Sequence, residues 1–146
     1  MELNAVMTHK VDTVRPENTI QEAAQIMKRD NIGMLPVFDG KRVIGVITDR
    51  DITVRATAEG KDPSLTPVLG VMTGEVICCP GSFDVLEAAE LMKKRKIRRI
   101  VVVDMNHCPI GIVSLADLAA RDRTEEVAED VLEELSRSDS KRSPSR

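Results

Sequence analysis

Two segments of the chain share one pattern: glycine, two apolar residues, a hydroxyl residue, two variable residues and aspartate. The first ends in Thr48 and Asp51, and the second ends in Ser114 and Asp117. In each, an apolar strand would end at the hydroxyl residue and a helix would begin there. The hydroxyl and the first helical amides could hold a phosphate, and the aspartate could accept hydrogen bonds from a ribose diol. The same residues could instead cap the helix, with the hydroxyl as N-cap and the acid in the first turn. The pattern leaves both roles open.

Other reactive arrangements are missing from the sequence. It contains no HExxH, no phosphate-binding P-loop and no GxGxxG. The two histidines, His9 and His107, belong to no catalytic motif, so we expect a protein that is not an enzyme. The cysteines Cys78, Cys79 and Cys108 lack the spacing of metal ligands, and we expect no metal site.

A basic run from Lys93 to Arg99 holds six cations in seven residues. Such a run is typical of the solvated C-terminal end of a helix, where cations complement the helix dipole. Attraction of a phosphate-bearing ligand is the second interpretation, and nucleic-acid binding is the third. The net charge of −3 and the pI near 5.5 argue against a nucleic-acid partner.

The bulk composition indicates an ordinary globular protein. The chain has 146 residues, of which 42% are hydrophobic and 31% are charged, as in one compact domain or a pair of packed subdomains. No apolar run approaches the roughly 18 residues that cross a bilayer. The N-terminal segment has neither the basic start nor the apolar stretch of a signal peptide. We therefore expect no membrane association and a cytoplasmic location.

The two aspartate patterns belong to a tandem repeat. Val6-Met7-Thr8 recurs as Val71-Met72-Thr73, and Glu22-Ala23-Ala24 recurs as Glu87-Ala88-Ala89, both sixty-five positions later. One inserted residue shifts the offset to sixty-six, where the two aspartate patterns coincide. One copy of such a unit typically cannot bury its apolar face alone, so we expect the two copies to pack together.

Each copy is predicted to fold as strand, helix, strand, strand, helix. Thr19 and Asp84 are expected to cap the first helices, each with a glutamate three residues later as in a capping box. The next two strands form a hairpin, with Asp39-Gly40 as its turn in the first copy. The second helices begin directly after the two hydroxyl residues of the shared pattern.

The elements divide the chain into five parts. We assign residues 1–60 to repeat one, 61–70 to a linker, 71–122 to repeat two, 123–135 to an acidic helix and 136–146 to a disordered tail. The acidic helix has an apolar edge at Val127, Val131 and Leu135. We expect this edge to pack on the repeats or on a dimer mate. The alternative is a free docking arm that orders only on a partner.

The repeat resembles the cystathionine β-synthase (CBS) domain family. The resemblance rests on Val-Met-Thr at the opening, Ile-Gly-Met-Leu-Pro-Val-Phe-Asp in the middle and Gly-Val-Ile-Thr-Asp-Arg-Asp at the close, and it covers about residues 1 to 122. It implies an α/β (α+β) fold in which two β-α-β-β-α repeats pack through their sheets with pseudo-twofold symmetry. In that family, such a pair is a Bateman module, and adenosyl ligands sit in two clefts between the repeats.

The resemblance also implies two sets of ligand-binding residues. The first cleft would be lined by Val14, Arg15, Ile20, Ile32, Gly33, Met34, Arg98, Arg99, Ser114 and Asp117. The second would be lined by Thr48, Asp51, Cys79, Pro80, Val85, Ile97, Arg98 and Arg99. Repeat two departs from the family pattern because Arg98 and Arg99 stand where repeat one has Gly33 and Met34. We therefore expect the cleft of Ser114 and Asp117 to favour the more phosphorylated ligand.

The function implied by the resemblance is regulatory. The module would bind AMP, ADP or ATP, with S-adenosylmethionine and NAD ranked below them, and would require no cofactor. It would form a homodimer through its helices and signal to an effector protein in trans. One alternative is a structural or dimerisation module with empty clefts. A weaker one is a redox or metal sensor using Cys78, Cys79, Cys108 and His107.

Overall fold

The computed structural model describes residues 1–9, 11–119 and 125–140. The fold is a mixed α+β fold in which the two sequence repeats form corresponding elements. Those of the first repeat are α1 (Ile20–Asp30), β1 (Met34–Phe38), β2 (Val43–Thr48) and α2 (Asp49–Asp51). α2 continues as a π-helical segment, Ile52–Ala56, and then as a 3-10 turn, Thr57–Glu59. Gly60 ends this helix with a φ of 70°.

The second repeat has the same order after a first strand. The strand predicted to open the first repeat is not formed, and Val14 makes only an isolated bridge with Val37. The elements of the second repeat are β3 (Cys78–Pro80), α3 (Val85–Arg95), β4 (Arg99–Val103), β5 (Pro109–Ser114) and α4 (Leu115–Ala119). A last helix, α5, runs over Glu125–Ser140. It therefore continues past Leu135, where the sequence analysis placed its end. Residues 141–146 of the expected tail lie outside the described part of the chain.

The strands form two sheets, of two and three strands, and the first is an antiparallel hairpin. β1 pairs with β2, with Leu35 opposite Ile47 and an irregularity between Val37 and Phe38. In the second repeat the strand order is β3-β4-β5. Every residue of β1 except Phe38 is buried, whereas buried and half-buried residues alternate along β2. This alternation is typical of a strand that is buried on one face.

The helix caps agree with the sequence. Thr19 Oγ1 accepts a hydrogen bond from the Glu22 amide at 3.2 Å, and Asp84 Oδ2 accepts one from the Leu86 amide at 3.0 Å. Both residues are therefore the N-caps that the pattern predicted. α1 and α3 also end alike, because the residue after each helix has a left-handed backbone conformation.

The described residues group into two compact units. Unit 1 comprises the described residues of Met1–His9, Cys79–Val102 and Gly111–Arg146, and unit 2 comprises those of Lys10–Cys78 and Val103–Ile110. The core of unit 2 includes the fully buried side chains of Ile20, Leu35, Ile47, Val68 and Val71.

The segment Val68–Thr73, where the second repeat opens, packs in unit 2. The Val68 amide donates to the Asn18 carbonyl oxygen at 2.7 Å, and the Leu69 amide donates to the Pro16 carbonyl oxygen at 3.0 Å. Thr73 then pairs with Val46 on β2. The segment Val68–Thr73 is thus an integral part of unit 2.

Unit 1 holds the N-terminal segment in the same way. The Leu3 amide donates to the Phe83 carbonyl oxygen at 2.9 Å, the Asn4 amide donates to the Gly81 carbonyl oxygen at 3.0 Å, and Thr8 pairs with Ile112 on β5. These bonds repeat those of unit 2 at the corresponding sequence positions. Each unit therefore uses an opening segment as an added edge of its sheet.

α5 packs on unit 1. Val131 is fully buried and Leu135 is 8% exposed, whereas Leu132 is 48% exposed. Lys93 Nζ on α3 lies 3.7 Å from Asp130 Oδ2. The helix thus buries the predicted apolar edge at Val131 and Leu135, and the side chain of Val127 lies outside the described residues. Within the ranges that the structure describes, no helix is long and apolar enough to span a bilayer.

Candidate functional site

The junction between β5 and α4 contains Ser114 and Asp117. The Asp117 amide donates to Ser114 Oγ at 3.1 Å, and the Ser114 amide donates to Asp117 Oδ2 at 2.8 Å. This reciprocal pair is a capping box, which fixes both side chains at the start of the helix. Asp117 is half-buried, and its Oδ1 accepts no hydrogen bond from any described residue. Within the described part of the chain, one oxygen of this carboxylate therefore has no hydrogen-bond donor.

The junction between β2 and α2 repeats the capping box. The Asp51 amide donates to Thr48 Oγ1, and the Thr48 amide donates to Asp51 Oδ2, both at 3.0 Å. Here the carboxylate has further partners. Thr73 Oγ1 lies 3.1 Å from Asp51 Oδ1 and 3.2 Å from Oδ2, and Arg55 Nε lies 3.8 Å from Oδ1. Asp51 is only 8% exposed.

The capping role that the sequence left open is thus present in both repeats. Capping uses only one carboxylate oxygen, so it is compatible with ligand binding at Asp117. Thr73 and Arg55 were not among the functional residues predicted from the sequence. Thr73 was visible as the last residue of the repeated Val-Met-Thr opening, but only the pairing of this segment with β2 brings it to Asp51.

Most of the apolar site residues predicted from the family resemblance have buried side chains. Those with buried side chains are Val14, Ile20, Met34, Cys79 and Val85. Those with more accessible side chains are Ile32, Ile97 and Pro80. The first group therefore exposes little side-chain surface to solvent.

Gly33 has a local packing partner. The Asp49 amide donates to the Gly33 carbonyl oxygen at 2.9 Å, and a Cβ on Gly33 would stand 2.9 Å from Asp49 Oδ2. In unit 1 the corresponding bond runs from the Leu115 amide to the Arg98 carbonyl oxygen at 2.8 Å. Because Gly33 has no side chain, there is room beside it for the Asp49 carboxylate. The residue that corresponds to Asp49 in the other repeat is Leu115.

The arginines among the predicted ligand-binding residues lie on the surface. Arg15 Nε lies 3.3 Å from Glu17 Oε1. Arg98 and Arg99 are exposed at the start of β4. The basic run begins in the last turn of α3 and continues through its left-handed end at Lys96. This placement favours the interpretation of the run as a solvated helix end.

Each unit contains residues from both predicted clefts. Unit 2 holds Val14, Arg15, Ile20, Ile32, Gly33, Met34, Thr48 and Asp51. Unit 1 holds Cys79, Pro80, Val85, Ile97, Arg98, Arg99, Ser114 and Asp117. The structure brings together the hydroxyl and acid of each turn. The combination of these residues into two clefts stays a prediction.

The environment of Cys78 does not activate its thiol. Cys79 is buried, and partial shielding of the Cys78 sulfur from water raises the pKa of its thiol. A raised pKa disfavours the thiolate, which is the reactive form. Among the residues that the structure describes, no three His, Cys, Asp or Glu side chains cluster so as to hold a metal ion.

Comparison with known proteins decides the family. A protein-family model for the CBS domain matches residues 3–56 and 68–123, one match for each repeat. The chain belongs to the CBS domain family. Among curated proteins it is 42% identical over 130 residues to the CBS domain-containing protein YhcV of Bacillus subtilis, with 89% of this chain and 91% of YhcV covered.

Solved structures of tandem CBS proteins share the fold. The CBS domain protein PAE2072 from Pyrobaculum aerophilum, complexed with AMP, matches with a TM-score of 0.74 and 25% identity over 94% of this chain and 99% of that one. The CBS domain pair of protein MJ0100, in complex with 5′-methylthioadenosine and S-adenosyl-L-methionine, matches with a TM-score of 0.72 and 29% identity over 82% and 94%. The ligands of both structures contain adenosine.

Proposed function

We propose that this CBS pair is a non-catalytic regulatory module that binds an adenine nucleotide, AMP, ADP or ATP, through the turn of Ser114 and Asp117. The observation that carries the proposal is the state of the Asp117 carboxylate. Its Oδ2 is fixed by the Ser114 amide, while its Oδ1 accepts nothing from the described residues. An ionised carboxylate oxygen in a fixed position is a strong acceptor for the hydroxyl groups of a ribose.

The Ser114 hydroxyl adds a second group to the turn. It accepts a hydrogen bond from the Asp117 amide, and its own hydrogen has no acceptor among the described residues. It can therefore donate to a ligand oxygen while the capping box stays intact. The ligands named for PAE2072 and MJ0100 support this assignment, because adenosine is the part that they share.

Two arginines support a phosphorylated ligand. The Arg98 carbonyl oxygen is bonded to Leu115, the first residue after Ser114, and Arg99 follows at the start of β4. Both side chains are exposed. Cations near a binding turn raise the local concentration of anionic ligands, and this effect weakens as salt increases. We include in the proposal a homodimer that passes its ligand state to an effector protein in trans.

The proposal is tested with AMP, ADP, ATP and S-adenosylmethionine in a thermal-shift panel on the full chain. A ligand at one hundred times its dissociation constant stabilises the folded state by about 2.7 kcal/mol, which gives a clear shift of the unfolding midpoint. Any ligand that shifts the midpoint is then titrated calorimetrically against Asp117→Ala. Loss of a hydrogen bond to a charged group costs about 1.5–3 kcal/mol, so affinity should fall roughly ten- to a hundredfold.

Asp117→Asn controls for the helix cap. The amide oxygen of asparagine can still accept from the Ser114 amide, so this variant separates loss of the charge from loss of the cap. An affinity that is unchanged in both variants would contradict the role of Asp117. A panel in which no ligand moves the midpoint would favour a structural module.

A further inference from the structure

The two repeats share a backbone hydrogen-bond network but differ at one side-chain contact. Thr73 and Val46 exchange backbone hydrogen bonds at 2.8 and 3.0 Å, and Thr8 and Ile112 exchange them at 2.9 and 3.2 Å. The Thr73 hydroxyl then reaches the carboxylate of Asp51. Thr8 occupies the corresponding position in unit 1, yet its hydroxyl makes no hydrogen bond with a described residue.

This contact engages both oxygens of the Asp51 carboxylate. Its Oδ2 accepts from the Thr48 amide at 3.0 Å and lies 3.2 Å from the Thr73 hydroxyl, while its Oδ1 lies 3.1 Å from the same hydroxyl and 3.8 Å from Arg55 Nε. The residue is 8% exposed. A ribose diol at this carboxylate would compete with the Thr73 hydroxyl, and a displaced hydroxyl would have to find another partner.

Arg55 strengthens the connection. Its Nη1 donates to the Met72 carbonyl oxygen at 3.0 Å, while its Nε faces Asp51. The three side chains of Asp51, Arg55 and Thr73, which we call the clasp, thus join α2 and its π-helical continuation to the segment Val68–Thr73. That segment contributes Val68 and Val71 to the core of unit 2.

We propose that the clasp commits Asp51 to holding the segment Val68–Thr73 on β2, so that each chain binds one adenosine ligand through Asp117 and none through Asp51. Thr73 is then a positioning residue that decides which of two similar turns accepts a ligand. The count of one ligand rests on the proposed function. The structural role of the clasp does not depend on it.

The ligand count is tested by calorimetric titration of the full chain with AMP. We expect one site per chain, at least a tenfold loss of affinity in Asp117→Asn, and a change of less than about threefold in Asp51→Asn. Two AMP sites per chain, or equal losses in the two variants, would overturn the proposal.

The clasp is tested by thermal unfolding without ligand. Loss of a hydrogen bond to a charged group should lower the midpoint by roughly 2–6 °C in Thr73→Val, whereas Thr73→Ser keeps the hydroxyl and should stay close to the wild type. Thr8→Val is the matched control in unit 1, and we expect a shift of no more than about 1 °C. In an Asp51→Ala background, Thr73→Val should have little further effect.

The two experiments separate the possible failures. If AMP does not bind, the proposed function is wrong, and the thermal unfolding midpoints alone test the structural role of the clasp. If Thr73→Val and Thr8→Val shift the midpoint equally, the proposed role of the clasp is wrong, whether or not AMP binds. If Asp51→Ala fails to fold, the comparison of Thr73→Val with Thr73→Ser and Thr8→Val still tests the role of the clasp.

Discussion

Asp51 and Asp117 have the same capping bonds but different surroundings. Each carboxylate accepts a hydrogen bond from the amide of the hydroxyl residue three positions earlier. Asp51 also contacts Thr73 and Arg55, whereas Oδ1 of Asp117 accepts no hydrogen bond from the described residues. A capping box is a local feature, so it follows from the spacing of the two residues. The additional contacts depend on which distant segment lies beside the turn.

Gly45 shows how closely that segment approaches β2. A Cβ placed on Gly45 would collide with the Thr73 carbonyl oxygen, which is a backbone atom and cannot move away as a flexible side chain can. We predict that Gly45→Ala lowers the free energy of unfolding by roughly 1–3 kcal/mol, as measured by urea denaturation.

Gly74 provides the matched control for Gly45. A Cβ at Gly74 would meet nothing within 4 Å. Gly74→Ala should therefore be neutral or stabilising by up to about 1 kcal/mol, because alanine restricts the unfolded chain. If the two alanine variants unfold at the same urea concentration, the close approach of Thr73 to Gly45 is not a constraint on the fold.

Asp39 provides a pH-dependent contribution at the turn of the β1–β2 hairpin. Its Oδ1 accepts hydrogen bonds from the Lys41 amide at 2.8 Å and the Arg42 amide at 2.9 Å. The bond from Arg42, followed by that from Lys41, lowers the pKa of the carboxyl below its ordinary value of 3.8. The ionised form is thus favoured in the folded state. The ionised Asp39 carboxylate contributes fully to stability above the pKa that it has in the unfolded state. This contribution is lost as pH falls through its lower pKa in the folded state.

The variant Asp39→Asn tests this contribution. Asparagine keeps an acceptor oxygen but does not titrate, so the loss of urea resistance below about pH 4 should be less steep than in the wild type. Glu75→Gln, at an exposed position where the side chain has no hydrogen-bond partner in the described chain, controls for the change in net charge. Parallel pH profiles for Asp39→Asn and the wild type would contradict the prediction.

At the scale of the elements, local signals predicted the helices and hairpins well. Thr19 and Asp84 cap α1 and α3, and Asp39-Gly40 lies between β1 and β2, because caps and turns depend on a few adjacent residues. The π-helical segment Ile52–Ala56 had no such signal. The place of Val68–Thr73 in the core of unit 2 could not be predicted either, because it depends on contacts between residues distant in sequence.

α5 allows its packing to be tested with two adjacent residues. Val131 is fully buried and Leu132 is 48% exposed. If the helix packs on unit 1 in solution, Val131→Ala should lower the free energy of unfolding by roughly 1–3 kcal/mol, because it removes buried methyl groups and leaves a cavity.

Leu132→Ala is the control on the same helix. Since half of the Leu132 side chain is in water, its truncation should cost less than about 1 kcal/mol. Both free energies come from urea denaturation of the full chain. Equal and small effects in the two variants would indicate that α5 is a free arm, the alternative that the sequence left open.

At the scale of the whole molecule, the repeat was the most informative signal in the sequence. It indicated two similar units, and the family match to residues 3–56 and 68–123 agrees with it. The repeat could not show on which unit the opening segment of each copy packs, because similarity between two copies does not reveal their contacts. The structure assigns Met1–His9 to the unit of the second repeat.

The oligomeric state is the property to test at this scale. The helix that follows Thr48 exposes 48% of Val54, and α3 exposes 41% of Leu86. Exposed apolar side chains on helices provide the kind of surface that a subunit interface covers. We predict a homodimer, so light scattering on the full chain at tens of micromolar should give about twice the chain mass of 16.1 kDa.

Glutamate substitutions locate the interface. Burying a new charge against an apolar partner surface is costly, so Val54→Glu or Leu86→Glu should shift the protein towards monomer. Leu65→Glu is the control, because Leu65 is 78% exposed but lies outside the helices. A dimer that persists in both helix variants would indicate that the interface lies away from Val54 and Leu86. A monomeric mass for the wild-type chain would contradict the dimer prediction itself.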